Sequence, residues 1–178
     1  MSDTMAGGNR RIDQVLEAGF TEGLASLDTS EVRRRRDLAR AELEYLSFLR
    51  RLLQGRRDLL RDEVDRRRTG GEAQPVLERV VSVMAEGSRG PSRGEAPMIP
   101  MPEDEIAMAR RRVERLVSDA RLSDLEALSD QELDDAGRNI EQEEREVSDV
   151  RTRVIEVHDS LQEEMKRRLK AELGNPAS

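Results

Sequence analysis

The 178-residue chain has no cysteine, no tryptophan, one tyrosine, two phenylalanines and a single histidine. Without cysteine it can form neither disulfides nor thiolate metal sites. Aromatics at 2% leave little bulk for a thick spherical core. No apolar run reaches the roughly 18 residues that a membrane helix needs, and nothing near the N-terminus resembles the apolar core of a signal peptide. A soluble, cytoplasmic chain is expected. Catalytic signatures are missing as well: there is no Gly-rich phosphate loop, no metal-ligand cluster and no nucleophile beside a base. His158 stands alone on a helix flank, so no enzyme is expected.

Charge is what the chain has in quantity, at 39% of residues, against 35% hydrophobic. That balance suits an elongated single domain held by a thin helix-on-helix seam. The runs Arg33 to Arg36 and Arg110 to Arg112 are basic, but 38 acidic against 31 basic side chains give a net charge of -7. This argues against general nucleic-acid binding, which rests on neutralising phosphates with surplus cations.

Two stretches of the chain repeat one another at an offset of 101 residues. Val32, Ala39, Leu46, Leu53 and Leu60 recur every seven residues, and Leu133, Ile140, Val147, Val154 and Leu161 are their counterparts. A sustained seven-residue repeat keeps one apolar stripe facing a partner helix. Leu43, Leu49 and Val64 widen the first stripe; Val150, Val157 and Met165 widen the second.

The same offset aligns a ladder of mostly polar side chains. One copy is Leu43, Ser47, Arg50, Gln54, Asp58; the other is Glu144, Ser148, Arg151, Ile155, Asp159. Both follow the frame E-x3-S-x2-R-x3-Q-x3-D with one position replaced. On an α-helix each ladder falls within an arc of about 80° and spans about 22 Å. With the seam at heptad position a, Ser47 and Gln54 take b, Arg50 takes e and Asp58 takes f, so the ladder flanks the seam. Two such faces brought together make a pseudo-two-fold polar groove that suits a two-fold symmetric ligand. One polar flank is the ordinary solvated side of a coiled coil. A second copy in register has no packing reason.

Capping signals place the helix ends. Asp28-Thr29-Ser30-Glu31 and Ser129-Asp130-Gln131-Glu132 are matching N-terminal boxes 101 residues apart. Gly70 and Gly71 stop the first helix near Arg68, and Gly174 and Pro176 stop the second near Leu173. Gly55 and Gly137 weaken the interiors by about 1 kcal/mol each relative to alanine, too little to break long helices. The expected organisation is a tail with a short amphipathic helix over 1–26, a ladder helix over 27–68, a linker with short helices over 69–127, a second ladder helix over 128–173 and a tail over 174–178. Within the linker, 69–74 and 86–102 read as flexible. Pro75 to Met84 reads as a short helix or docking segment. Ile106 to Leu116 reads as a helix whose positive end is met by Glu103, Asp104 and Glu105. Ile12, Val15, Leu16 and Phe20 form an apolar stripe with no place in a two-helix seam, suited to a protein partner. The roughly 60-residue connection serves parallel or antiparallel pairing equally.

The duplicated ladder on two heptad helices resembles the RsiG family, over roughly residues 27 to 68 and 128 to 172. Leu43 and Ile155 depart from the family frame, where Glu and Gln stand. The resemblance implies an all-α fold, an antiparallel two-helix coiled-coil hairpin with short additional helices and a flexible linker. It also implies an anti-sigma factor that holds a WhiG-like sporulation sigma factor inactive when cyclic di-GMP is bound, the nucleotide entering as a stacked dimer. The implied nucleotide ligands are Ser47, Arg50, Gln54, Asp58, Glu144, Ser148, Arg151 and Asp159. Their chemistry fits: Arg50 and Arg151 offer planar forks to guanine O6 and N7 or to phosphate. Asp58, Asp159 and Glu144 accept the N1 and N2 protons that distinguish guanine from adenine. Ser47, Ser148 and Gln54 donate to phosphate or ribose oxygens. The competing expectation is a structural coiled-coil scaffold with no small-molecule ligand.

Overall fold

The computed structural model describes residues 10–70, 101–117 and 122–174, and these are helical with no strand among them. A short helix α1 (Arg11–Val15) and two 3-10 turns (Ala18–Phe20 and Leu24–Ser26) lead into α2 (Thr29–Thr69). Then come α3 (Glu103–Val117), a 3-10 turn (Leu122–Ala127) and α4 (Asp130–Gly174). The expected short element from Pro75 to Met84 and most of the flexible stretches on either side of it lie outside the described residues.

Two local devices start the long helices. At α4 the box is reciprocal: the Glu132 amide donates to Ser129 Oγ at 3.3 Å, and the Ser129 amide donates to Glu132 Oε2 at 2.7 Å. At α2 only half of the box forms. The Glu31 amide donates to Asp28 Oδ1 at 2.7 Å, but the Glu31 carboxylate turns to Arg34 and Arg35. Those two guanidiniums hold the Glu31 carboxyl down at about 2. Arg34 is a better partner for that carboxylate than the backbone amide it would otherwise reach. At the other end of α2, Gly70 takes a positive φ of 67°, a left-handed stop that glycine adopts without steric cost. Gly55 and Gly137 leave α2 and α4 unbroken.

The chain divides into two compact units. Residues up to Leu46 and from Asp149 onward form one, and Ser47–Ser148 form the other. In the Ser47–Ser148 unit α2 and α4 run antiparallel. Gln54 Nε2 donates to Glu144 at 2.8 Å, Arg61 to Glu141 at 3.3 Å and Arg67 to Asp130 at 2.7 Å, one number rising as the other falls. Leu49, Leu53 and Leu60 are buried there, as are Leu133, Ile140 and Val147, with Ala109 and Val113 of α3 and Leu125 and Leu128 beside the 3-10 turn. Arg112 of α3 donates to Glu143 of α4 at 2.6 Å.

Glu63, fully buried, organises the end of α2. Arg66 and then Arg67 grip its carboxylate at 2.6 and 2.9 Å and hold its pKa down at about 2 despite burial. Arg67 also donates to the Leu125 carbonyl at 3.0 Å, so one side chain ties α2 to the turn before α4.

The other unit is built around the start of α2 and the end of α4. Val32, Ala39 and Leu46 are buried with Val154 and Leu161. Arg168 of α4 reaches Thr29 Oγ1 at 3.0 Å and the Leu24 and Leu27 carbonyls at 2.7 Å each. The N-terminal stripe, expected to be free for a partner, has a place here. Val15 is buried, Arg11 pairs with the nearly buried Glu42 at 2.7 Å, and Arg35 lies 5.4 Å from the Phe20 ring centre while donating to its carbonyl at 2.6 Å. Charged residues of α2, which a two-helix seam leaves outside, supply the anchors.

All ten seam residues read from the seven-residue repeat are buried. The described residues thus give an all-α hairpin in which α2 and α4 pair through the expected stripe.

Candidate functional site

The heptad geometry that buries the seam turns the ladder positions to its edge, where side chains are part-covered rather than enclosed. Ser47, Arg50, Gln54, Asp58, Glu144 and Ser148 belong to the Ser47–Ser148 unit, whereas Arg151 and Asp159 belong to the other. Leu43 and Ile155, the two apolar replacements in the ladder, also fall in that other unit.

Within the Ser47–Ser148 unit the structure gathers ladder residues around one carboxylate. Glu144 of α4 receives Gln54 Nε2 at 2.8 Å on Oε1 and Arg57 Nη1 at 2.5 Å on Oε2, both from α2. Arg50 Nε stands 3.8 Å from Oε1, within ion-pair range but beyond a hydrogen bond. Three donors on one helix thus enclose a carboxylate on the other, whose side chain is only 12% exposed. Arg57 Nε lies 3.6 Å from Asp58 Oδ1, joining Asp58 to the cluster.

Two nitrogens in this cluster are covered without a hydrogen-bond partner, Arg50 Nε and Arg57 Nε. Each faces a carboxylate from beyond hydrogen-bonding distance. A donor sheltered from water and not yet engaged is a strong attractor for an anionic or carbonyl oxygen. Ser47 and Ser148 are half-buried nearby in sequence, on α2 and α4 respectively.

In the other unit, Arg151 is part-covered and Asp159 is 69% exposed, with the His158 ring 3.4 Å from its carboxylate. Ile155 is part-covered, as is Leu43 on the facing helix. That half of the ladder keeps a cation and an acceptor, with aliphatic side chains where the first has a carboxylate and an amide.

Arg57 escaped the sequence reading because it lies outside the ladder frame. A signal was present: 101 residues later stands His158, so each copy has a nitrogen-bearing side chain directly before its final Asp. Arg57 also borders a cleft of about 480 Å³ between α2 and α4, lined further by Arg61, Arg138 and Glu141 and floored near Gly137, which has no side chain to fill it. No cluster of three or more His, Asp or Glu suited to a metal occurs among the described residues. Among the same residues, no helix is long and apolar enough to cross a membrane.

No curated protein matches the chain. The family model described as RsiG-like matches residues 18–84, a span that takes in all of α2 and with it Ser47, Arg50, Gln54 and Asp58. Over residues 18–84 the chain is thus similar to the RsiG-like family.

Proposed function

We propose that the chain is a cytoplasmic, non-catalytic anti-sigma factor that binds cyclic di-GMP through its ladder and, so loaded, sequesters a WhiG-like sigma factor of the sporulation programme. The RsiG-like match suggests the anti-sigma role. The observation that carries the nucleotide reading is the cluster on Glu144, where Arg50, Gln54 and Arg57 converge at ladder-level positions with two covered guanidinium nitrogens still unengaged.

Each residue has a defined task in this reading. Arg50 and Arg151 present forks to a guanine edge or a phosphate, and Asp58 and Asp159 accept the guanine N1 and N2 protons. Ser47, Ser148 and Gln54 supply neutral donors. Glu144 has two hydrogen bonds from α2 already and keeps lone pairs for a further donor. A ligand that contacts α2 and α4 together favours the paired arrangement of the helices. A sigma factor that recognises that arrangement binds more tightly when nucleotide is present, and by linkage nucleotide binds more tightly when the sigma factor is present.

Calorimetric titration of the full chain with cyclic di-GMP, with cyclic di-AMP as control, tests the reading. Saturable heat near two nucleotides per chain for the guanine compound alone is expected, and alanine at Arg50 should abolish it with helicity unchanged. Absence of heat both with and without a WhiG-like sigma factor would leave a coiled-coil scaffold as the better description.

A further inference from the structure

We infer that Arg57, which stands outside the ladder, is the positioning residue that aligns two guanine acceptors, Glu144 on α4 and Asp58 on α2, and thereby sets the preference for guanine. This rests on the cyclic di-GMP reading and deepens it.

Arg57 is the side chain of the cluster that meets both carboxylates. Its Nη1 donates to Glu144 Oε2 at 2.5 Å across the hairpin, and its Nε lies 3.6 Å from Asp58 Oδ1 on its own helix. Among the described residues, Arg50 and Gln54 engage Glu144 but not Asp58, and the neighbouring Arg61 turns to Glu141. Two carboxylates at one edge repel each other. A guanidinium between them offsets that repulsion and fixes where each one points.

One part of this arrangement recurs in the other copy. His158 follows Arg57 by 101 residues and, like it, directly precedes the last ladder Asp; its Nδ1 lies 3.4 Å from Asp159 Oδ1. In each copy the side chain before the final acceptor thus places a nitrogen beside that acceptor's carboxylate. Both side chains are part-covered flank residues, so the apolar seam gives no reason for a nitrogen there.

Guanine offers two adjacent donors, N1–H and the 2-amino group, and a carboxylate reads both only when its oxygens face them. Glu144 already accepts one hydrogen bond on each oxygen, from Gln54 at 2.8 Å and from Arg57 at 2.5 Å, and each oxygen keeps a lone pair for the base. Without Arg57, Oε2 loses its partner and the carboxylate is free to turn, while Asp58 loses its charged neighbour among the described residues. The covered Arg57 Nε has no hydrogen-bond partner, and the oxygen it faces is that of Asp58. A small closure of Asp58 as nucleotide enters completes that bond. Arg57 therefore acts through the two carboxylates rather than on the phosphates.

The test compares cyclic di-GMP with its inosine analogue, cyclic di-IMP, which lacks only the 2-amino groups. Full-length wild type, Arg57→Ala and Arg57→Lys are titrated calorimetrically with each, with circular dichroism following helicity. Wild type should prefer cyclic di-GMP about tenfold or more, the size of one hydrogen bond to a charged group. Arg57→Ala should weaken cyclic di-GMP by about that factor and cyclic di-IMP much less, so that the preference largely vanishes. Arg57→Lys, a single point charge that pairs with one carboxylate at a time, should retain an intermediate preference. Loss of fold, or of a phosphate contact, lowers both affinities by the same factor, so equal weakening of the two dinucleotides overturns the assignment. Wild-type affinities in Arg57→Ala, or a wild type that does not distinguish the two dinucleotides, overturn it as well while leaving cyclic di-GMP binding intact. A wild type that gives no heat even with sigma factor overturns the nucleotide reading and this assignment with it.

Discussion

At one level of the hairpin, α2 and α4 are joined by Gln54, Arg57 and Glu144; at the repeat-related level stand Ile155, His158 and Leu43. The seam beside these positions shows no such divergence, with all five residues buried in each copy. Burial constrains both seams alike, because any polar substitution there would strand a group away from water. The flank faces no such demand and can diverge. A carboxylate held by two hydrogen bonds, with a second guanidinium nearby, is more than a solvated flank needs, which makes the Ser47–Ser148 half the one to perturb first.

Seam substitutions should have the largest effect and should be equal in the two copies. Leu60→Ala and Leu161→Ala, at matched repeat positions and 2% and 0% exposed, should each destabilise the fold by about 2–5 kcal/mol in denaturant melts. A difference much larger than the spread within that range would mean that the two seams are not equivalent.

Flank substitutions should be unequal. Glu144→Ala removes the acceptor for Gln54 and Arg57 and should cost about 1–3 kcal/mol, whereas Leu43→Ala loses only part-covered aliphatic surface and should cost less. Equal losses would contradict a dependence on the polar cluster. Cap substitutions come next: Ser129→Ala breaks a reciprocal box and Asp28→Ala a one-sided cap, each worth about 1 kcal/mol, with the Ser129 loss the greater by thermal melting.

A last effect, full at neutral pH and fading in acid, concerns Glu63. Arg66 and Arg67 depress its folded-state pKa to about 2 from an ordinary 4.5. A depressed carboxylate stabilises the fold above its unfolded pKa and loses that contribution as pH falls from about 4.5 towards 2. Glu63→Gln should therefore flatten the fall in melting temperature over that window. An unchanged acid limb would show that other carboxylates, such as Glu31 and Glu164, which are also held at about 2 by their arginines, dominate it.

Much of the fold was legible because it depends on periodicity. A seven-residue apolar repeat defines a face wherever the chain is helical, so Val32 through Leu60 and Leu133 through Leu161 could be named as buried before their partners were known. Caps are equally local, and Ser129 with Glu132 behaves as its spacing implies. The half-box at Asp28 did not follow from spacing, because Arg34 and Arg35 compete for Glu31. Arg57 was missed for a similar reason: apart from its repeat counterpart His158, nothing along the helix distinguishes it from Arg56 or Arg61 until Glu144 is placed across from it. The N-terminal stripe was misjudged because its anchors, Glu42 and Arg35, are charged, and charge on a long helix ordinarily means solvent.

The sequence by itself determined that two long helices would form, where they would start and stop, which stripe each would bury and which polar ladder would run beside it. These properties depend on neighbours within a few turns, and the period of the helix is fixed. Only the tertiary structure decided that the helices pair antiparallel, that Gln54 and Arg57 rather than other side chains reach Glu144, and that α1 docks on α2. Those outcomes depend on which residues become level across a connection of some sixty residues, and that register is set by the packing of the whole seam, which no local pattern encodes.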